Sequence, residues 1–200
     1  MSADPDAALA RFADLVVRWG ARTDLTSAQA STAPEEVLLL DARVLADPAL
    51  VVEGARLVDV GAGAGAPAIP LAILRPDLEA TLVEPRRRRV AFLRTAIGAL
   101  ALERRVRVVE GKVDPAQPAV PGMPFDVALS RATFAPERWL AVGGALAPRV
   151  LVMTAASEPP APPAGWERVA RRDYRVPSTG APRAVSLYRA RAPAAVGAPG

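Results

Sequence analysis

The stretch Val58-Asp59-Val60-Gly61-Ala62-Gly63-Ala64-Gly65-Ala66-Pro67 constrains the fold more than any other part of this chain. An apolar run enters a loop with glycine at alternate positions, and a helix-forming run follows at once. Such a loop lets the backbone approach a neighbour closely where any Cβ would collide. It stands near the head of an alternation that begins at Arg56. Strands are expected over 57–60, 81–83, 106–109, 125–129 and 150–153, with helices from the glycine loop to about Leu74 and over 86–100. Alternation at this period predicts an α/β architecture, a mostly parallel sheet with helices on both faces.

The flanks read differently. Asp4-Pro5 offers an N-cap and a proline at the first helical position, and Leu9, Phe12, Val16 and Trp19 recur at helical spacing up to Gly20. Thr32-Ala33-Pro34-Glu35 resembles a capping box, with Val37, Leu38, Leu40, Val44 and Leu45 as the apolar face behind it. Residues 1–54 are therefore expected to form a helical cap and 55–191 the α/β domain. Beyond Thr154, SEPPAPPAG is a proline-rich connector. Two strand-like runs follow, Trp166 to Val176 and Arg183 to Tyr188, expected to pair antiparallel at the sheet edge. Residues 192–200 read as a flexible tail.

Composition narrows the chemistry. The 200 residues include no Cys and no His, and Lys112 is the single lysine among 25 basic residues. Thiol nucleophiles, imidazole bases and Cys or His metal ligands are excluded, and no metal is expected. The N-terminus has no apolar core of a signal peptide, and no long apolar run suggests a membrane span. A cytoplasmic protein, monomeric and without membrane contact, is the expectation. The net charge of +4 permits a nucleic-acid partner without requiring one.

The second strand ends in Glu84, twenty-three residues after Gly61, where a carboxylate can accept hydrogen bonds from both hydroxyls of a ribose. The spacing also fits a nicotinamide-dinucleotide loop. Three features disfavour that alternative. Asp59 stands two residues before the first glycine, where methyltransferases place an acid that orients the methionine end of their cofactor. The closing hairpin leaves no second mononucleotide half. Hydride-transfer partners such as His or Cys are absent. S-adenosylmethionine is the better-fitting cofactor, with Asp59, Gly63, Gly65 and Glu84 as its candidate contacts.

These residues resemble the bacterial small-subunit ribosomal RNA methyltransferase G family (RsmG/GidB). Trp19-Gly-Ala-Arg22-Thr-Asp-Leu25-Thr26-Ser27 is similar to the family's W-N-x-x-x-N-L-T-S. Asp59 through Leu71, with Pro67, Ile69 and Pro70, is the most distinctive match. Glu84 with Arg88-Arg89 and Phe92-Leu93, then Lys112-Val113-Asp114, Phe125-Asp126 and Ser130-Arg131-Ala132, follow in order. Tyr174, Pro177, Gly180 and Arg183 match the closing hairpin. The resemblance implies a Rossmann-like class I S-adenosylmethionine-dependent methyltransferase fold and methylation of guanine N7 in 16S rRNA, within the 30S subunit or its precursor. It also implies that Gly61, Ala66, Val113, Asp114 and Arg131 contact the cofactor or its surroundings, with Arg131 as a catalytic positioning residue. A structural salt bridge for Arg131 and a solvated loop acid for Asp114 are the plain alternatives.

Departures from the pattern bear on activity. Where the family has His three residues before an Asp-Ser pair, this chain has Leu38, Asp41 and Ala42. Met153-Thr154-Ala155 stands for a Lys-Gly, and SEPPAPPAG for a helix between the fifth and sixth strands. A divergent methyltransferase with another substrate, or an inactive cofactor- or RNA-binding module, are the competing readings. The missing His and Cys are compatible with N7 chemistry, because N7 carries an in-plane lone pair and no proton, so alignment suffices. For RNA phosphates, Arg86, Arg87, Arg88 and Arg89 form the one dense basic run, with Arg22 and Arg183 as further candidates. The bland alternative for that run is a solvated helix face. Nine aromatic residues leave base stacking a minor role.

Overall fold

The computed structural model describes residues 4–20, 25, 32–131, 133–155 and 158–191. The expected tail, Arg22 and most of the Trp19–Ser27 motif lie outside these residues. Asp4 caps the first helix, accepting the Asp6 N–H at 3.0 Å, and α1 runs Pro5–Gly20. Its apolar stripe, Leu9, Phe12 and Val16, is buried, and Trp19 packs edge-on to Phe92 with ring centroids 5.5 Å apart.

The next helical segment departs from expectation. Glu35–Leu39 is a π-helical turn, followed by α2, Leu40–Leu45. A π turn inserts an extra residue and rotates everything after it by about 100° relative to a regular helix. The buried face is therefore Leu38, Leu39, Ala42 and Leu45, while Val37, Leu40 and Val44 are only half-buried. The expected capping box does not cap this turn either. Its N-cap is Pro34, which has no hydroxyl, and Glu35 lies 3.8 Å from Arg43.

The sheet follows the predicted alternation: β1 Arg56–Val60, α3 Ala68–Leu74, β2 Glu79–Glu84, α4 Arg87–Ala99, β3 Val106–Glu110, β4 Val127–Ser130, α5 Pro136–Leu146, β5 Arg149–Thr154, β6 Trp166–Arg175 and β7 Pro182–Ala190. Seven strands lie in the order β3-β2-β1-β4-β5-β7-β6. The first five are parallel, and β7 is antiparallel to both β5 and β6. Leu57, Leu82, Leu129 and Leu151 point into one core, shared with α1, α3 and α4. Val58, Val83, Ala128 and Val150 point into the other, shared with α5. Ala184 to Tyr188 of β7 are all buried, whereas β6 is half-exposed along its length, because β7 lies between two strands and β6 is the edge.

Helix α5 has a weak sequence signal because Gly143 and Gly144 interrupt it. Packing explains both glycines: an added Cβ would lie 2.9 Å from Val150 Cγ1 and 2.8 Å from Trp166 Cζ2, respectively. No helix forms in 158–165, and the Tyr188 hydroxyl donates to the Pro160 carbonyl there. Among the described residues, no helix is long and apolar enough to cross a membrane.

Candidate active site

Strand order reverses between β1 and β4, and the crevice beyond their carboxyl ends is where open α/β sheets bind ligands. The residues singled out in the sequence converge there. At the end of β1 the chain turns back onto β2, the Gly61 and Ala62 N–H groups both donating to the Val83 carbonyl, at 2.8 and 3.1 Å. Glu84 is then clamped between loop and helix. Its Oε2 accepts the Gly63 N–H at 2.9 Å and its Oε1 the Arg86 N–H at 3.0 Å. Only 2% of the residue is exposed. Each oxygen retains a second lone pair, so the carboxylate is oriented and still able to accept two further hydrogen bonds.

The three glycines answer to different constraints. A Cβ at Gly61 would overlap Thr133 Oγ1, and one at Gly65 would lie 2.5 Å from Ile69 Cδ1 and 2.9 Å from Leu93 Cδ2. Protein packing accounts for both. At Gly63 an added Cβ would make only ordinary van der Waals contacts, with Arg89 Nη1 and the Gly61 carbonyl oxygen each at 3.8 Å, and φ is +57°. Room for a close ligand approach is thus found at one of the three positions.

Asp59 is 1% exposed, and its Oδ2 has no hydrogen-bond partner among the described residues. Burial pushes its carboxyl up to about 7; the Arg131 guanidinium opposes that shift and the Glu84 carboxylate adds to it. An acid in this state favours a cationic neighbour.

Beside it, the Ser130 hydroxyl donates to the Val60 carbonyl at 2.7 Å, and Thr133 donates to the same oxygen at 3.3 Å. These bonds stitch β4 to β1 at the switch point. Arg131 turns toward the cap, its Nη1 donating to the Val37 carbonyl at 2.8 Å and to Asp41 Oδ2 at 3.1 Å. The structural salt bridge is therefore present. It belongs to a wider network, since the Tyr174 hydroxyl donates to Asp41 Oδ1 at 2.6 Å. Burial, then the Asp41 charge and hydrogen bond, hold the Tyr174 phenol well above its ordinary range. Two further ties join cap and hairpin: Glu36 accepts the Ser178 N–H, and Arg172 pairs with Asp47 at 2.7 Å.

Between cap, hairpin and the ends of β4 and β5 lies a cleft of about 770 Å³, lined by Val37, Asp41, Arg131, Thr154, Tyr174 and Arg183 among others. Family departures collect here, with Met153, Thr154 and Ala155 on the cleft wall and Leu38 buried behind it. Sequence reasoning missed the network around Asp41. The signal available was Asp41 itself, an acid kept where its neighbours differ from the family.

The remaining candidates spread out. Val113 is buried, while Asp114 is exposed and closes a turn by accepting the Ala116 N–H at 2.9 Å. The basic run does not act as one surface. Arg86, Arg87 and Arg88 are exposed, with Arg87 3.1 Å from Glu110, whereas Arg89 is half-buried beside Gly63. Ala66 is buried behind the loop. Arg22 and Ala132 lie outside the described residues.

This sheet order, with its antiparallel seventh strand and its crevice at the β1–β4 switch point, defines a class I methyltransferase fold. It is similar to a S-adenosylmethionine-dependent methyltransferase from Thiobacillus denitrificans solved in complex with S-adenosyl-L-homocysteine, with a TM-score of 0.58 at 12% identity over 78% of this chain and 93% of that one. The chain belongs to the rRNA small subunit methyltransferase G family, whose model matches residues 6–144. The ribosomal RNA small subunit methyltransferase G of Myxococcus xanthus is 36% identical over 94% of this chain and 89% of its own length. That of Frankia alni is 39% identical over 66% of this chain, which spans 50% of that relative's length.

Proposed function

We propose that the chain binds S-adenosylmethionine in the crevice formed by Asp59, Gly63 and Glu84, and methylates guanine N7 of 16S rRNA within the 30S subunit or its precursor. The observation that carries this reading is the pair of buried carboxylates at the switch point, one clamped with acceptor capacity to spare and one with an orphaned oxygen. Their chemistry fits the cofactor. Glu84 offers acceptors for a ribose diol, and Asp59 offers an unpartnered oxygen to a cationic methionine end. Gly61, Gly65 and Ala66 shape the loop, and Val113 and Asp114 flank the adenine side. When bound, the cofactor supplies a methyl group already activated on a sulfonium.

The acceptor nitrogen has no proton to lose, so no side chain of this protein has to act as a base. What the protein must supply is alignment and exclusion of water. Arg131 is suited to the former. Its guanidinium presents its donors in a plane and is held by the Val37 carbonyl and Asp41 at the cleft.

Purified 30S subunits incubated with methyl-labelled cofactor test this, with 7-methylguanosine mapped by borohydride–aniline cleavage. Label at a guanine N7 is the expected outcome. A calorimetric titration showing no cofactor binding would overturn it. Cofactor binding without transfer to 30S subunits points instead to another acceptor, a reading that the altered cleft wall at Met153–Ala155 favours.

A further inference from the structure

The positive charge of this chain is not spread over its surface. Residues 166–191 carry seven arginines against two acids, while the rest of the chain has eighteen basic and nineteen acidic residues. The surplus therefore resides in the β6–β7 hairpin. Arg172, Arg171 and Arg189 pair with Asp47, with Asp173 and Glu158, and with Glu167. Arg168, Arg175, Arg183 and Arg191 make no ion pair with any described acid. β6 is the sheet edge, ten residues long, so its exposed border extends roughly 30 Å. Charges on an edge strand also discourage unwanted strand pairing. That role is indifferent to sign, and an excess made of arginine alone goes beyond it.

Position adds to charge. The hairpin forms a wall of the cleft through Tyr174, Val176, Ser178, Thr179, Ala181 and Arg183, whereas none of Arg86 to Arg89 reaches it. Those arginines follow β2, on the far side of β1 and β4 from the cleft. A nucleotide entering the cleft brings its flanking backbone onto the wall it passes.

We infer that the edge hairpin β6–β7 is the surface that holds the RNA strand, Arg175 and Arg183 neutralising phosphates beside a nucleotide turned into the cleft and Arg168 and Arg191 receiving the backbone as it runs on along β6 toward the opposite end of the sheet. This rests on the RNA-methyltransferase reading above. It moves the principal RNA contact from Arg86–Arg89 to Arg168, Arg175, Arg183 and Arg191.

The test compares the full chain with two triple variants, Arg168→Gln/Arg175→Gln/Arg191→Gln and Arg86→Gln/Arg87→Gln/Arg88→Gln. Binding to the 16S rRNA of intact 30S subunits is measured across a salt series. Each lost phosphate contact lowers the salt slope by about one. The hairpin triple is expected to lower it by roughly two to three, while the second triple leaves it near the wild-type value. Cofactor titration and melting temperature stay unchanged in both, and Arg→Lys at the three hairpin positions restores the slope. Wild-type binding matched by the hairpin triple, or equal losses from the two triples, overturns the assignment. Absence of rRNA binding by the wild-type chain overturns the parent reading and the surface together.

Discussion

Asp41 holds two partners at once, accepting the Tyr174 hydroxyl on one carboxylate oxygen and the Arg131 guanidinium on the other, at 2.6 and 3.1 Å. The three residues come from the cap, the edge strand and the turn after β4. Val37 completes the arrangement with a carbonyl from the π-helical turn. Arg131 is thereby fixed from outside the sheet, with Asp41 as the side chain that positions its guanidinium.

Asp41→Asn is expected to remove a charge-assisted bond and cost about 1.5–3 kcal/mol of stability. It should lower methyl transfer while leaving cofactor affinity near wild type. A double-mutant cycle with Tyr174→Phe, read by denaturant unfolding, should show non-additive losses because the Tyr174 hydroxyl donates directly to the Asp41 carboxylate. Additive losses would remove the coupling.

Glu84→Ala should weaken cofactor binding by roughly 1–3 kcal/mol. It also strips the Gly63 and Arg86 N–H groups of their acceptor. Glu84→Gln separates the two effects: it keeps one acceptor oxygen and so retains part of the loop geometry, but replaces the other acceptor by a donor. Calorimetric titration with S-adenosyl-L-homocysteine should rank wild type above Gln, and Gln above Ala.

The carboxyl of Asp59 titrates in the folded protein at about 7 against an ordinary 3.8. Between those values the folded state holds a proton that the unfolded chain has released. Stability therefore falls as pH rises through this window, and the full effect is about 4 kcal/mol. Asp59→Asn carries no ionisable group, so its melting temperature should match wild type near pH 4, exceed it increasingly up to about pH 7, and hold a constant margin at higher pH. Cofactor affinity should fall in the same variant. A melting-temperature difference independent of pH would sink this account.

The loop glycines should differ in their tolerance of a methyl group. Gly63→Ala has space and adds the left-handed backbone cost of about 1–2 kcal/mol. Gly65→Ala adds the same cost at φ +82° and a collision with Ile69 and Leu93, for a total of about 3 kcal/mol or more. Gly65→Ala should therefore unfold at lower denaturant than Gly63→Ala, yet Gly63→Ala should be the more damaging to cofactor binding among folded protein.

Much of the architecture was legible in the chain because it is written at short range. Short apolar runs, each leading to a turn or a helix start, identify the strand–helix units without reference to their neighbours, and Glu84 ends its strand where the pattern ends. Helix α5 escaped because Gly143 and Gly144 lower helical propensity, and the reason for them, Val150 and Trp166, is a tertiary contact. The register of the cap escaped for a similar cause. A π turn leaves no mark in an apolar run such as Val37 to Leu40, yet it sends Leu39 inward and leaves Leu40 beside the cleft.

By itself the sequence determined the alternation, the glycine loop with its two acids, and the exclusion of thiol and imidazole chemistry, since each follows from local residue type and spacing. Only the tertiary structure decided which groups meet. Asp41 lies 90 residues from Arg131 and 133 from Tyr174, and no local rule links them. The hairpin became a wall of the cleft, with Tyr174 and Arg183 on it, only once β7 inserted beside β5 and left β6 as the edge. Burial likewise turned Asp59 from an ordinary acid into one with a raised pKa and an orphaned oxygen. The physical reason is common to all three: charge and hydrogen bonding act through space at a few ångströms, and folding sets those distances.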